Sequence, residues 1–160
     1  MIRFVISIAL GSLIAIPLSA KESLGIYATW AAFRDEEPQR CYAIAKPRRA
    51  SDTQPSASIS NWPSEGIRGQ VHFRLSREVS DGAAVRLIIG ERRFDLFASG
   101  RNAWAENAQM DAAIVAALRS ADEMRITARD TVGRRFTDRY DLAGAATAMD
   151  AALVACAGMN

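Results

Sequence analysis

The chain has 160 residues, 49% of them hydrophobic and 24% charged, and a formal net charge of +2. That length suits one domain with a sizeable core. The near balance of charge gives no global drive toward nucleic acid or an anionic membrane.

Residues 1–20 read as an export signal. Met1 and Arg3 precede an apolar run over 4–16, and Pro17-Leu18-Ser19-Ala20 ends in small residues. The run is short for a membrane span, which needs about 20 residues; an uncleaved anchor is the competing reading. Leu18 is bulky for the third position before a cut, so the cleavage point can slip by a few residues. Residues 21–160 then form a single domain with no further stretch of spanning length, placed in the periplasm or secreted. Removal of Arg3 with the leader lowers the net charge by one. Exported chains fold where disulfides persist. The two cysteines, Cys41 and Cys156, are therefore expected to pair; two buried free thiols are the alternative.

Alternation of period two dominates the chain. Residues 25–34 read as one strand, with Ile26, Ala28, Trp30 and Ala32 on one face and Tyr27, Thr29, Ala31 and Phe33 on the other. The segment 35–39 is a charged turn, and 40–46 is the return strand, with Cys41, Ala43 and Ala45 on one side. Residues 47–58 carry two prolines and small polar residues and read as a loop. A short extended piece over 57–61 leads to a turn at Trp62-Pro63. The clearest strand covers 67–77, where Val71, Phe73 and Leu75 alternate with Gln70, His72 and Arg74. Asp81-Gly82 is a turn, followed by strands at 84–89 and 93–98 joined through Gly90-Glu91. Ser99-Gly100 turns again before an extended piece at 102–105.

The period then changes to that of a helix over 107–120, with Met110, Ile114, Val115 and Leu118 on one stripe and Asn107 as N-cap. Strands at 123–129 and 135–142 pair through a turn at Thr131-Val132-Gly133. A second helix covers 144–157, with Met149, Ala152, Leu153 and Cys156 facing the body. The fold class is mainly β with some α: an antiparallel β-sandwich or open barrel with two helices, one of them C-terminal.

Two patches carry a family resemblance. One is Trp30 followed by Arg40-Cys41-Tyr42-Ala43-Ile44-Ala45; the other is Asp138-Arg139-Tyr140-Asp141-Leu142-Ala143-Gly144 with Ala148 and the late Cys156. Ala103-Trp104-Ala105 and Met124 fit between them. In these the chain resembles the invasion-associated locus B family of exported bacterial proteins. The resemblance implies a β-rich periplasmic or envelope protein without a catalytic site.

No catalytic constellation of recognisable spacing appears, and the chain reads as a non-enzyme that needs no cofactor. His72, the single histidine, lies on the polar side of its strand with no metal-ligand spacing around it. Asp35, Glu36 and Glu37 read as a turn, and Asp138 and Asp141 as an exposed strand edge and its end. Gly66-Ile67-Arg68-Gly69 opens a strand rather than a helix, so it offers no phosphate cradle. The candidate interaction surface comprises Trp62 and the arginine pairs Arg48-Arg49, Arg92-Arg93 and Arg134-Arg135. The pairs also suit solvated turn ends that blunt strand edges. Trp62, in a loop, is the tryptophan expected to be exposed. The functional expectation is contact with an unidentified envelope or host protein. A carrier holding a lipid or small apolar ligand between its sheet layers is the alternative, and an enzyme of unknown type comes third.

Overall fold

The computed structural model describes residues 21–49 and 51–159. The leader assigned to residues 1–20 lies outside them. The first strands are β1 (Glu22–Tyr27), β2 (Trp30–Asp35), β3 (Arg40–Ala45), β4 (Ser56–Trp62) and β5 (Ile67–Val79). Then come β6 (Val85–Ile89), β7 (Arg92–Trp104), helix α1 (Ala108–Leu118), β8 (Glu123–Arg129), β9 (Arg135–Asp141) and helix α2 (Ala145–Ala157). All described pairings are antiparallel, in the order β1-β2-β3-β4-β5-β7-β6-β8-β9. This is the open, mainly antiparallel β architecture with two helices that the alternation implies.

One strand makes two layers from this sheet. The first part of β7 pairs with β6, as in Phe94 with Leu87, and its last residues pair with β5, as in Ala103 with Phe73. Between them Gly100 has φ 57, a left-handed conformation that glycine adopts without a steric penalty. The expected turn at Ser99-Gly100 is therefore a bend within a continuous strand. The two halves face each other across fully buried Phe73, Leu75, Leu87, Ile89, Met124, Ile126 and Tyr140. Cross-links then close the gap: the Arg48 amide donates to the Arg139 carbonyl at 2.8 Å and the Thr131 amide to Glu78 at 3.2 Å. Side chains of both halves meet in one buried core.

The segment 25–34 differs from its expected form. It is the end of one strand and most of the next, folded back at Ala28-Thr29, with Tyr27 opposite Trp30. Ala28 has φ 52, where glycine or asparagine is usual, so composition does not mark the turn. Other groups hold it. Thr29 Oγ1 donates to the Asp141 and Ala143 carbonyls, both at 3.1 Å, and Trp30 Nε1 donates to Asp141 at 2.9 Å. These bonds join the first hairpin to the entrance of α2.

Both helices begin and pack for identifiable reasons. The Asn107 side chain accepts the Met110 amide at 2.9 Å and caps α1. Asp111, in the first turn, accepts the Val71 amide at 2.8 Å and ties α1 to β5. Helix α2 lies on the inner side of β1–β4, where Ala32 and Ala43 allow close approach to Ala145, Ala148, Met149 and Ala152. Cys41 and Cys156 form a disulfide with Cα atoms 5.7 Å apart, so the pairing is realised. Leu153, placed on the buried stripe by sequence, is 42% exposed.

Asp138 also departs from expectation. It is buried rather than at an exposed edge, and its carboxylate accepts the Ser76 amide at 2.9 Å. Burial raises its pKa, against the lowering effect of the Ser76 bonds and the Arg77 charge. Burial, and then the charge of Asp138, also push the Tyr140 phenol far up. The folded state thus holds the Asp138 proton more tightly than the unfolded chain. Its contribution to stability is complete below the ordinary carboxyl range and is lost as pH rises through the raised value. Asp138→Asn keeps a carbonyl oxygen for Ser76 but does not titrate. Urea midpoints between about pH 4 and 7 should show the wild type losing stability relative to D138N as pH rises. Parallel pH profiles would remove this account.

Candidate functional site

Strand alternation gives each layer an outer face. On the second layer, register aligns Arg93 (β7), Ile88 (β6), Arg125 (β8) and Arg139 (β9) in one row. The adjacent row is Asp95, Arg86, Thr127 and Thr137, and Arg129 pairs with Arg135 beyond it. The opposite side of β8 carries buried Met124, Ile126 and Ala128, so the arginines necessarily face outward. The loop after β3 adds Arg48 and Arg49. They line a cleft of about 440 Å³ with Arg135, Thr137, Asp138 and Arg139.

The face is strongly but unevenly positive. Arg86 pairs with Asp95 at 2.9 Å, and Arg48 pairs with Glu123 at 3.0 Å. Arg139 reaches Glu123 only at 3.9 Å. Among the described residues, Arg49, Arg93, Arg125 and Arg135 form no ion pair. Antiparallel neighbours of like charge are unfavourable, so stability alone does not call for Arg125 opposite Arg139.

The candidate surface read from sequence is thus divided. Arg48, Arg49 and Arg135 line one cleft, and Arg93 stands on the same outer face three strands from β9. Arg92 donates to the Ala113 carbonyl at 3.3 Å, toward α1, and its guanidinium lies 5.2 Å from the Phe94 ring centre. Arg134 bonds Asp130 at 3.2 Å in the β8–β9 turn. Burial alone would raise the Asp130 pKa, but the Arg134 amide, Arg77, the Val132 amide and the Arg134 charge together hold it below the ordinary value. Trp62 is half-buried on the other layer, beneath Arg40, and donates from Nε1 to Gln70 at 3.1 Å. It is not the exposed platform expected. Arg86, Arg125, Arg129 and Arg139 were the residues missed. For Arg125, Arg129 and Arg139 the signal was present as arginines four apart in EMRITAR and RFTDRYD, while Arg86 stands alone in VRLII, and pairing was needed to join them.

The first layer has a different outer face. One of its rows holds Phe33 and Tyr42, with Lys21 4.6 Å from the Phe33 ring and Arg40 4.1 Å from that of Tyr42. Beside them an open groove of about 1080 Å³ runs over Ile26, Ala31, Phe33 and Ile44 to a wall at 52–56. His72 lies on this side, hydrogen-bonded to Asn102 at 3.0 Å and 5.4 Å from Trp104. Among the described residues no group of three His, Cys, Asp or Glu side chains could hold a metal. No described helix is long and apolar enough to cross a membrane.

These features define a disulfide-tied antiparallel β protein of two layers, with helices at α1 and α2 and two chemically distinct outer faces. Among solved structures it is similar to invasion associated protein b from Bartonella henselae, with a TM-score of 0.61 and 16% identity over 86% of this chain and 98% of that one. At that identity the likeness shows the fold, and it bears out the resemblance carried by Trp30, Cys41 and the 138–144 segment at that level. No protein-family pattern matches the chain, and no curated protein does.

Proposed function

We propose that this is an exported, non-catalytic protein of the invasion-associated locus B type that works by contact in the bacterial envelope. Residues 1–20 are its cleaved leader, and residues 21–160 act as one unit in the periplasm or outside the cell. The disulfide supports an oxidising location. The arginine face makes the contact, against anionic groups at the envelope surface. The observation that carries this is the row Arg93–Arg125–Arg139, flanked by Arg49 and Arg135 and short of carboxylate partners.

The test is cosedimentation with vesicles of phosphatidylglycerol or of phosphatidylcholine. Binding should favour the anionic vesicles and weaken sharply between about 50 and 300 mM salt, as screening shortens the reach of each charge. A basic side chain near an anionic surface contributes about 1 kcal/mol, so Arg93→Gln, Arg125→Gln and Arg139→Gln combined should weaken binding about 100-fold. All three side chains stand on the outer face, so the melting point should change little. Equal binding to both vesicle types, or an unaffected triple variant, would overturn the proposal.

A further inference from the structure

We infer that the groove on the outer face of β1–β3 is a binding site for a single-chain fatty carboxylate. This site is separate from the arginine face. Its floor is Ile26, Ala31 and Ile44, which register aligns in one row, with Phe33 beside them. Ile26 is 78% exposed, an unusual state for a large aliphatic side chain on a strand. Ala28 and Ala31 put little side chain into the groove. The loop residues Thr53, Gln54 and Pro55 rise as a wall on one side.

Charge fixes the orientation of the occupant. Lys46 follows β3 on the same outer side as Ile44, and Arg74 lies across from Ser56 on β5. Both cations stand at the end of the apolar floor. Arg74 is held there by donating Nε to the Thr53 carbonyl at 3.2 Å, and among the described residues it forms no ion pair. Lys46 is exposed and likewise forms none. Asp52 adds one negative charge to the lining, so the end remains net positive. An apolar strip that ends in two cations complements an amphiphile with one anionic head and one hydrocarbon tail. A flat apolar partner would not need the cations, and a polyanion would not need the strip.

Calorimetric titration of the full mature chain with octanoate, decanoate and dodecanoate, each below its micelle concentration, tests this. Saturable one-to-one binding should strengthen along the series, by about two- to fourfold per added methylene for a partly to fully buried chain. Ile26→Asp and Lys46→Glu change exposed side chains and should each weaken dodecanoate binding at least fivefold without altering the melting point. Arg125→Glu on the other layer should bind dodecanoate as the wild type does, which keeps this result independent of the vesicle experiment. Dodecyl maltoside should bind at least fivefold more weakly than dodecanoate. Absent saturation, affinity independent of chain length, equal affinity for the uncharged amphiphile, or wild-type affinity in I26D would each overturn the inference.

Discussion

Gly144→Ala should unfold a substantial part of this protein's stability margin, with an expected loss of about 3–5 kcal/mol and a melting point lower by about 10–15 °C. Two effects add. Gly144 has φ 84, where an L side chain costs about 1–2 kcal/mol. An added Cβ would also overlap the Tyr27 carbonyl oxygen, a backbone atom that cannot swing aside as a flexible side chain could. Tyr27 ends β1, and the turn after it is bonded through Thr29 and Trp30 to residues 141 and 143. Relief of the overlap therefore means lifting the first hairpin from the start of α2. Gly82→Ala and Gly133→Ala separate the two effects. Their φ values are 73 and 82, but an added Cβ meets nothing within 4 Å at either position. Each should cost only the conformational part, about 1–2 kcal/mol. Thermal melts of the three variants check this, and equal losses in all three would show that the close approach to Tyr27 is unimportant.

This contact also shows where the sequence ceased to be legible. Strands with clear alternation, such as Val71-Phe73-Leu75 and Met124-Ile126-Ala128, were visible because a half-buried strand repeats every two residues. Asn107 marked the start of α1 through its capping chemistry. The first hairpin was hidden because Ala28 takes a left-handed conformation that its side chain does not favour, and distant carbonyls at 141 and 143 hold the turn. Burial of Asp138 was not read from the sequence, which placed it at an exposed strand edge. It shares a strand face with Phe136 and Tyr140, but its charge argued for the surface; the Ser76 amide, 62 residues away, satisfies its carboxylate inside. The same limit applies to the candidate site. Arginine pairs in turns stood out as dipeptides. Arg93 belonged to one of these pairs, but Arg125 and Arg139 stood singly on separate strands, and only the β7-β6-β8-β9 register makes the three one surface. The apolar groove was less legible still, because its floor needs the hairpin that the sequence concealed.

Cys156→Ser should have a comparable effect, but only under oxidising conditions. The bridge spans 115 residues, and in the chain-entropy model a loop of about 100 residues stabilises by about 4–5 kcal/mol. That corresponds to a melting point lower by roughly 10–15 °C. Reductant should bring the wild type down to the variant and leave the variant unchanged. Equal melting points in both buffers, or the same difference in both, would show that the bridge does not stabilise the chain. The site of the loss is also specified. The inward side of α2 is mostly alanine: Ala145, Ala148 and Ala152 are fully buried but remove little apolar area from water. Met149 is the one long apolar side chain buried on that helix. Helix docking therefore depends on the covalent tie more than on burial, whereas β6 and β8 rest on Leu87, Ile89, Met124 and Ile126. Hydrogen exchange of C156S should accelerate first over 145–157, with β6 and β8 still protected. Uniform acceleration across the chain would mean that the bridge acts only through the unfolded state. Selective loss at α2 would mean that it also holds the helix against β3.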